Sequence, residues 1–277
     1  FGNAYNELRM MVSQVAPQAI GMIDQVLSII GKDRDPNFDI NTSFFRNLGD
    51  DVISFQMKPR GNEMKDLMDA PALAMMGSPK PADMANALKM FTSLSPMGAQ
   101  GLKERDFLGR TIYTLALPAM TMGPDGQLME ESIHFSATGD YVVFSQDAPT
   151  LENFLRSSGS ADQPLRSLAS LNAAAEKVGG MNTGMFGYEN PESTLKILVD
   201  GLRSDPDAFE KFASSNMAGM PGIEFWDGEK RKQWLDFTLL PPYDQISKYF
   251  GISVFSGTTT SEDILLRLYS PMPAGAR

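Results

Sequence analysis

The chain has 277 residues, with 34 acidic and 24 basic side chains, a net charge of −10 and no cysteine. That rules out a disulfide framework, a zinc–thiolate site and a cysteine nucleophile, and the negative charge argues against nucleic-acid partners. At this length one large domain or two ordinary ones can bury a core without covalent staples.

The first elements are helical. Leu8, Met11, Val12 and Val15, then Ile20, Ile23, Val26, Leu27 and Ile30, recur at the spacing of an amphipathic helix. Pro17 has no N–H to donate, so it divides the run into two helices or kinks one. Gly31 supplies a stop. The longest uncharged run here, Met10 to Ile23, is 14 residues, short of the ~20 that a membrane-spanning helix needs. A first residue of Phe rather than Met points to a trimmed or processed chain, from which any signal or anchor is expected to have been removed.

The next stretch, "DRDPNFDIN", places Asp33, Asp35, Asn37, Asp39 and Asn41 at every second position. Oxygen ligands at alternate positions are how a loop wraps calcium, so Asp33, Asp35, Asn37 and Asp39 are a calcium candidate. The helix–loop–helix pattern is incomplete, since Phe38 stands where that loop has glycine and Phe44 where it has glutamate. The competing reading is a solvated connector in which Asn41 or Thr42 caps the next helix.

"TSFFRNL" then predicts one or two helical turns ended by Gly49, and "DVISFQM" alternates like a strand. "APALAMMG" is a second strand and "KPADMANALKMFTSL" a helix with proline at its start. Six of the chain's nineteen methionines cluster between Met64 and Met90, and Met84, Ala87, Leu88 and Phe91 form a core face at helical spacing. Three strands follow, "GRTIYTLALP", "ESIHFSAT" and "DYVVFSQ", with a turn at "GPDGQ" and a tight hairpin at Gly139-Asp140. "APTLENFLRS" is a helix capped by Asp147 or Thr150. The small, polar "SSGSADQ" marks a boundary, which divides the chain into modules 1–160 and 161–277.

In the second module "PLRSLASLNAAAEKVG" is an amphipathic helix and "MNTGMFGYEN" a short strand. "PESTLKILVDGLR" and "DPDAFEKFASSN" are helices with proline in the first turn, and 218–240 is irregular. "PPYDQISKYFG" is a helix, and "ISVFSGT" with "DILLRLYSP" closes the chain as a hairpin. Strands in runs, flanked by helices, imply an α+β fold with antiparallel sheets.

Two segments echo each other. "RNLGDDVIS" (46–54) and "KYFGISVFS" (248–256) each run from a short helix through a glycine into a strand. Gly49 and Gly251 are expected at positive φ where the helix reverses, with Leu48 and Phe250 anchoring the helix ends in the core. A duplicated module and a recurring solution to one geometry both explain the echo. On this reading Tyr249 and Phe250 are largely core and Lys248 is surface, although a binding role for Lys248 with Tyr243 stays open.

The succession "LGDDVIS", "PALAMMGSPKPADMANALKMFTSL", "GRTIYTLALP" and "HFSATGDYVVFSQDAPTLENFL", with "LPPYDQISKYFGISVFSGTTT" at the end, resembles a group of exported bacterial envelope proteins of unknown function. The resemblance implies a periplasmic or surface location and brings no catalytic residues with it.

The residues themselves carry little chemistry. The single histidine, His134, lies on a predicted strand beside Ser132 and Ser136, where a half-exposed structural role suffices. Ser193 and Lys196 form an S-x-x-K at a helix start, and "SSN" at 214–216 imitates the second motif of penicillin-binding enzymes, but the K-T-G motif is absent and the spacing is too short. Gly31-Lys32 lacks the glycine of a phosphate loop at Val26, and Lys230-Arg231-Lys232 follows Asp227 and Glu229 as a solvated turn. Asp50, Asp51, Glu130 and Glu131 cannot be placed against a cleft from sequence. The expected protein is a non-enzymatic binding or structural module of the bacterial envelope, with no cofactor and an unknown protein or envelope component as partner. Its rivals are a hydrolase built from dispersed carboxylates and serines, and a calcium-dependent binding module.

Overall fold

A computed structural model describes residues 2–15, 17–32, 35–67, 69–94, 102–117, 131–157, 165–205, 207, 236–260 and 262–271. The fold is α+β, with eight α-helices and two antiparallel sheets among the described residues. Contacts divide the chain into two compact units, one of residues 1–57 and 71–160, the other of residues 58–70 and 161–277. Residues 58–70, which the sequence reading puts in the first module, group with the second because Met64 joins Leu202 and Phe237 in one apolar cluster.

The first unit opens with helices α1 (Gly2–Val15) and α2 (Pro17–Ile29), divided where the proline predicts. The Arg9 guanidinium grips Asp24 across them with bonds of 2.6 and 2.8 Å. Gly31, at φ 76°, turns the chain out of α2. Phe38 and Ile40, the latter in the short α3 (Ile40–Ser43), pack with Ala87 and Met90 of α4 (Pro81–Leu94).

The six-stranded sheet has the order β1-β2-β6-β5-β4-β3. Its strands are β1 (Val52–Gln56), β2 (Ala72–Gly77), β3 (Leu102–Phe107), β4 (Arg110–Leu117), β5 (Glu131–Thr138) and β6 (Tyr141–Ser145). Strands β3 to β6 form a meander that returns to pair with β2, and Gly139 (φ 56°) makes the β5–β6 turn. Side chains alternate between faces, so each face needs its own cover. On one face Leu73, Ile112 and Val143 pack under Leu151 and Leu155 of α5 (Ala148–Ser157). On the other, Phe135 and Val142 pack under Met84 and Ala85 of α4. Asp147 caps α5, its carboxylate accepting from the Thr150 N–H at 2.8 Å.

Strand β3 corrects the sequence reading, which found three consecutive strands where there are four. Its run of Lys103, Glu104, Arg105 and Asp106 hides the strand pattern. These charges suit an edge strand, which discourages pairing with other chains. Glu104 meets Lys89 of α4 at 2.8 Å, and Arg105 meets Glu152 of α5. The signal that betrays β3 is Leu108-Gly109, both at positive φ (54° and 74°), a two-residue hairpin turn.

In the second unit, α6 (Ala169–Lys177) covers one face of the three-stranded sheet β7-β8-β9. The strands are β7 (Met185–Glu189), β8 (Ser253–Thr259) and β9 (Ile264–Tyr269). Leu171, Ala174 and Val178 pack on Val254, Phe186, Tyr188 and Tyr269. Ser256 is buried there and donates to the Val178 carbonyl at 2.6 Å. Helix α7 (Glu192–Ser204) packs Leu198 and Leu202 against Met64, Phe237 and Leu240. The predicted turn "GPDGQ", residues 158–163 of the boundary segment, the helix "DPDAFEKFASSN" beyond Asp207 and the basic run 230–232 lie outside the described residues.

The paired joints take the expected positions by an unexpected route. Turns of 3-10 helix at Phe45–Asn47 and Ser247–Tyr249 precede Gly49 and Gly251, and β1 and β8 follow. Neither glycine is among those at positive φ. The chain leaves the turn through extended backbone at Leu48 (φ −68°, ψ 117°) and Phe250 (φ −108°, ψ 140°). Gly49 is needed for a close approach instead. Its N–H donates to the Gly77 carbonyl at 2.7 Å, and a Cβ there would lie 2.6 Å from that backbone. The two joints then diverge, since β1 is an edge strand and β8 a central one.

Candidate functional site

The second unit holds a concavity of about 370 Å³ lined by residues from 190–192 and 243–252. One wall is the start of α7. Pro191 fixes the chain there but offers no side-chain cap, while the Asn190 carboxamide oxygen accepts from the Glu192 N–H at 3.3 Å. The opposite wall is α8 (Tyr243–Ile246) and the 3-10 turn after it, a helix start set by Pro242. Tyr243 faces α7, and its ring lies 5.8 Å from the Lys196 ammonium and nearly parallel to Phe250 at 6.4 Å.

The electrostatics of the concavity centre on Tyr243. It is 4% exposed, yet its hydroxyl has no hydrogen-bond partner among the described residues. A buried hydroxyl without a partner is costly, on the order of 1–3 kcal/mol. Burial, reinforced by the Glu192 carboxylate and opposed by Lys196, pushes the phenol above its ordinary range. It therefore stays a protonated donor at neutral pH. Lys248 lines the same space, its ammonium 5.0 Å from the Tyr249 ring and without an ion-pair partner among the described residues. Pro191, Phe250 and Ile252 supply apolar wall.

This corrects the expectation that Tyr249 and Phe250 are core. Tyr249 is 58% exposed and Phe250 39%, because the 3-10 turn directs its second half outward while Tyr243 takes the buried position. Sequence reasoning named Lys248 and Tyr243 together but missed Glu192, Asn190 and Phe250 as their neighbours. Pro191 and Pro242, each just before a helix, were the available signal that two helix starts frame the space.

None of the other candidates is among its lining residues. Lys196 of the S-x-x-K pair bonds Asp200 at 2.8 Å, and that bond, with the Asp200 and Asp244 charges, raises its affinity for a proton. A lysine held charged in this way does not serve as the base of a serine–lysine hydrolase, which needs the neutral amine. Residues 214–216 lie outside the described residues. His134 is half-buried on β5 with Nδ1 at 2.9 Å from the Thr114 hydroxyl. The buried serines Ser136, Ser145 and Ser256 all donate to backbone carbonyls, at Thr111, Ala72 and Val178. Asp51 accepts from the Tyr141 hydroxyl at 2.6 Å.

In the aspartate run, Asp33 lies outside the described residues. The Asp35 carboxylate accepts from the Asn37 N–H at 2.9 Å, and that of Asp39 from the Asn41 N–H, which makes Asp39 the cap of α3. Asn37 is exposed between them. Among the described residues no three aspartate, glutamate or histidine side chains gather to hold a metal ion, and no helix is long and apolar enough to cross a membrane. Compared with protein-family models, curated proteins and solved structures, the chain matches none.

Proposed function

We propose that the chain is a non-enzymatic binding module of the bacterial cell envelope, and that its second unit takes a small ligand in the concavity between α7 and α8. The observation that carries this reading is the Tyr243 hydroxyl, almost fully buried at the wall of a ligand-sized space and without a partner among the described residues. Small-molecule sites fall at ~300–1,000 Å³, with apolar walls and a few polar groups that fix orientation. The lining here has that composition. The envelope setting rests on the likeness of the strand and helix succession to exported envelope proteins.

The test is a fragment titration of the 15N-labelled chain followed by NMR. Binding in the concavity moves the amides of Glu192, Lys248, Phe250 and Ile252 together. If no fragment moves them at millimolar concentration while the spectrum stays dispersed, the binding reading is wrong. Fractionation of the source cells tests the setting, with the protein expected in the envelope fraction.

A further inference from the structure

Resting on the binding reading above, we infer that the concavity recognises a zwitterion of the α-amino-acid type bearing an apolar side chain. Three kinds of group line it, and each meets one part of such a ligand. Lys248 brings a positive charge and Tyr243 a hydroxyl donor, which suit a carboxylate. Helix α7 also begins here, its Glu192 N–H already taken by the Asn190 carboxamide at 3.3 Å, and the positive end of its dipole adds a weaker preference for an anionic group.

Glu192 brings the opposite sign. Its carboxylate would repel a free phosphate or a plain organic anion, but it accepts from an ammonium. A ligand carrying both charges on neighbouring atoms satisfies both ends at once. Pro191, Phe250 and Ile252 leave an apolar wall for the rest of the ligand. At roughly 30 Å³ per water-sized group, a space of about 370 Å³ holds about a dozen heavy atoms, the size of phenylalanine. The elevated proton affinity of the Tyr243 phenol keeps it a donor toward the carboxylate throughout the neutral range.

The experiment titrates the 15N-labelled full chain with four probes. They are L-phenylalanine, N-acetyl-L-phenylalanine, L-phenylalaninamide and N-acetyl-L-phenylalaninamide. The expected result is that L-phenylalanine shifts the amides of Glu192, Lys248 and Ile252 with a Kd at or below about 1 mM. Each single cap weakens binding about tenfold or more, since each deletes one charge-assisted hydrogen bond. The variants Y243F and K248Q weaken L-phenylalanine by a similar factor without moving the affinity of the doubly capped probe. K248Q alters an exposed side chain, so it keeps the test alive if Y243F does not fold. If the doubly capped probe binds as well as L-phenylalanine, the zwitterion is wrong and the binding reading survives. If L-phenylalanine binds equally to wild type and to both variants, the assigned recognition is wrong. If none of the four probes shifts these amides but unrelated fragments do, the ligand class falls alone. If nothing shifts them, both readings fall.

Discussion

The two sheets of this protein are built from similar strands and finished differently. The six-stranded sheet of the first unit is covered on one face by α5 and on the other by α4, so Ile112, Val142, Val143 and Phe135 are all buried. The three-stranded sheet of the second unit has α6 on one face. Its outer face carries Met185, Phe255, Ile264, Leu266 and Leu268, with Leu266 67% and Leu268 76% exposed. That face is levelled by its own glycines. The Phe255 ring lies over Gly187, its cross-strand partner, and Met185 and Leu266 lie against Gly257. The difference teaches that strand composition does not decide burial. "ILLRLY" is as apolar as "YVVFS", yet among the described residues the second has a helix on each face while the first shows Ile264, Leu266 and Leu268 to solvent.

The largest expected effect tests the covered sheet. Leu151→Ala empties a fully buried position under α5 and should cost about 2–5 kcal/mol, read as a lower urea midpoint. A loss below 0.5 kcal/mol, on the order of a surface change, would mean that α5 is not a structural cover. Next, Ser256→Ala removes the donor that ties β8 to the end of α6 and should cost about 1–2 kcal/mol in the same measurement. A neutral result would place water at the Val178 carbonyl and make the one covered face of the small sheet looser than its packing implies.

A smaller effect concerns pH in the covered sheet. Burial, then the Arg105 charge, holds the His134 imidazole below its ordinary 6.5, against the opposing pull of Asp147 and Glu152. The unfolded chain then binds more protons at this position as the pH falls through 6.5. The contribution is full above that value and is lost as the pH falls toward the lower folded value. Comparing wild type with His134→Gln by denaturation at pH 8 and pH 5 should show a stronger acid loss in wild type. Equal losses would leave His134 out of the acid response. The smallest effect is on the open face, where Leu268→Ser should change stability by no more than about 0.5 kcal/mol. A cost like that of Leu151→Ala would mean that the open face is covered after all.

Much of the fold was legible in the sequence. Pro17, Gly31 and Gly139 mark a helix break, a helix stop and a hairpin because each acts through its own backbone. Asp147 is the cap of α5 for the same local reason. The alternation of "DVISFQM" predicted β1 correctly and said nothing of its burial; every residue of β1 is exposed, since α4 and α5 pack over other strands of that sheet. Of the candidate site, Lys248 and Tyr243 were legible as a pair. Their company was not, because Glu192 and Asn190 stand some fifty residues earlier in the chain.

Local covalent geometry and periodicity, then, determined most of the elements, β3 excepted, and the α+β class from sequence alone. Tertiary structure alone decided that Gly49 serves a close backbone approach rather than a positive φ, that Tyr243 is buried while Phe250 is half-open, and that β9 keeps an apolar face uncovered. Each of those depends on which distant segment arrives to pack, and the side chains nearby in sequence carry no record of that.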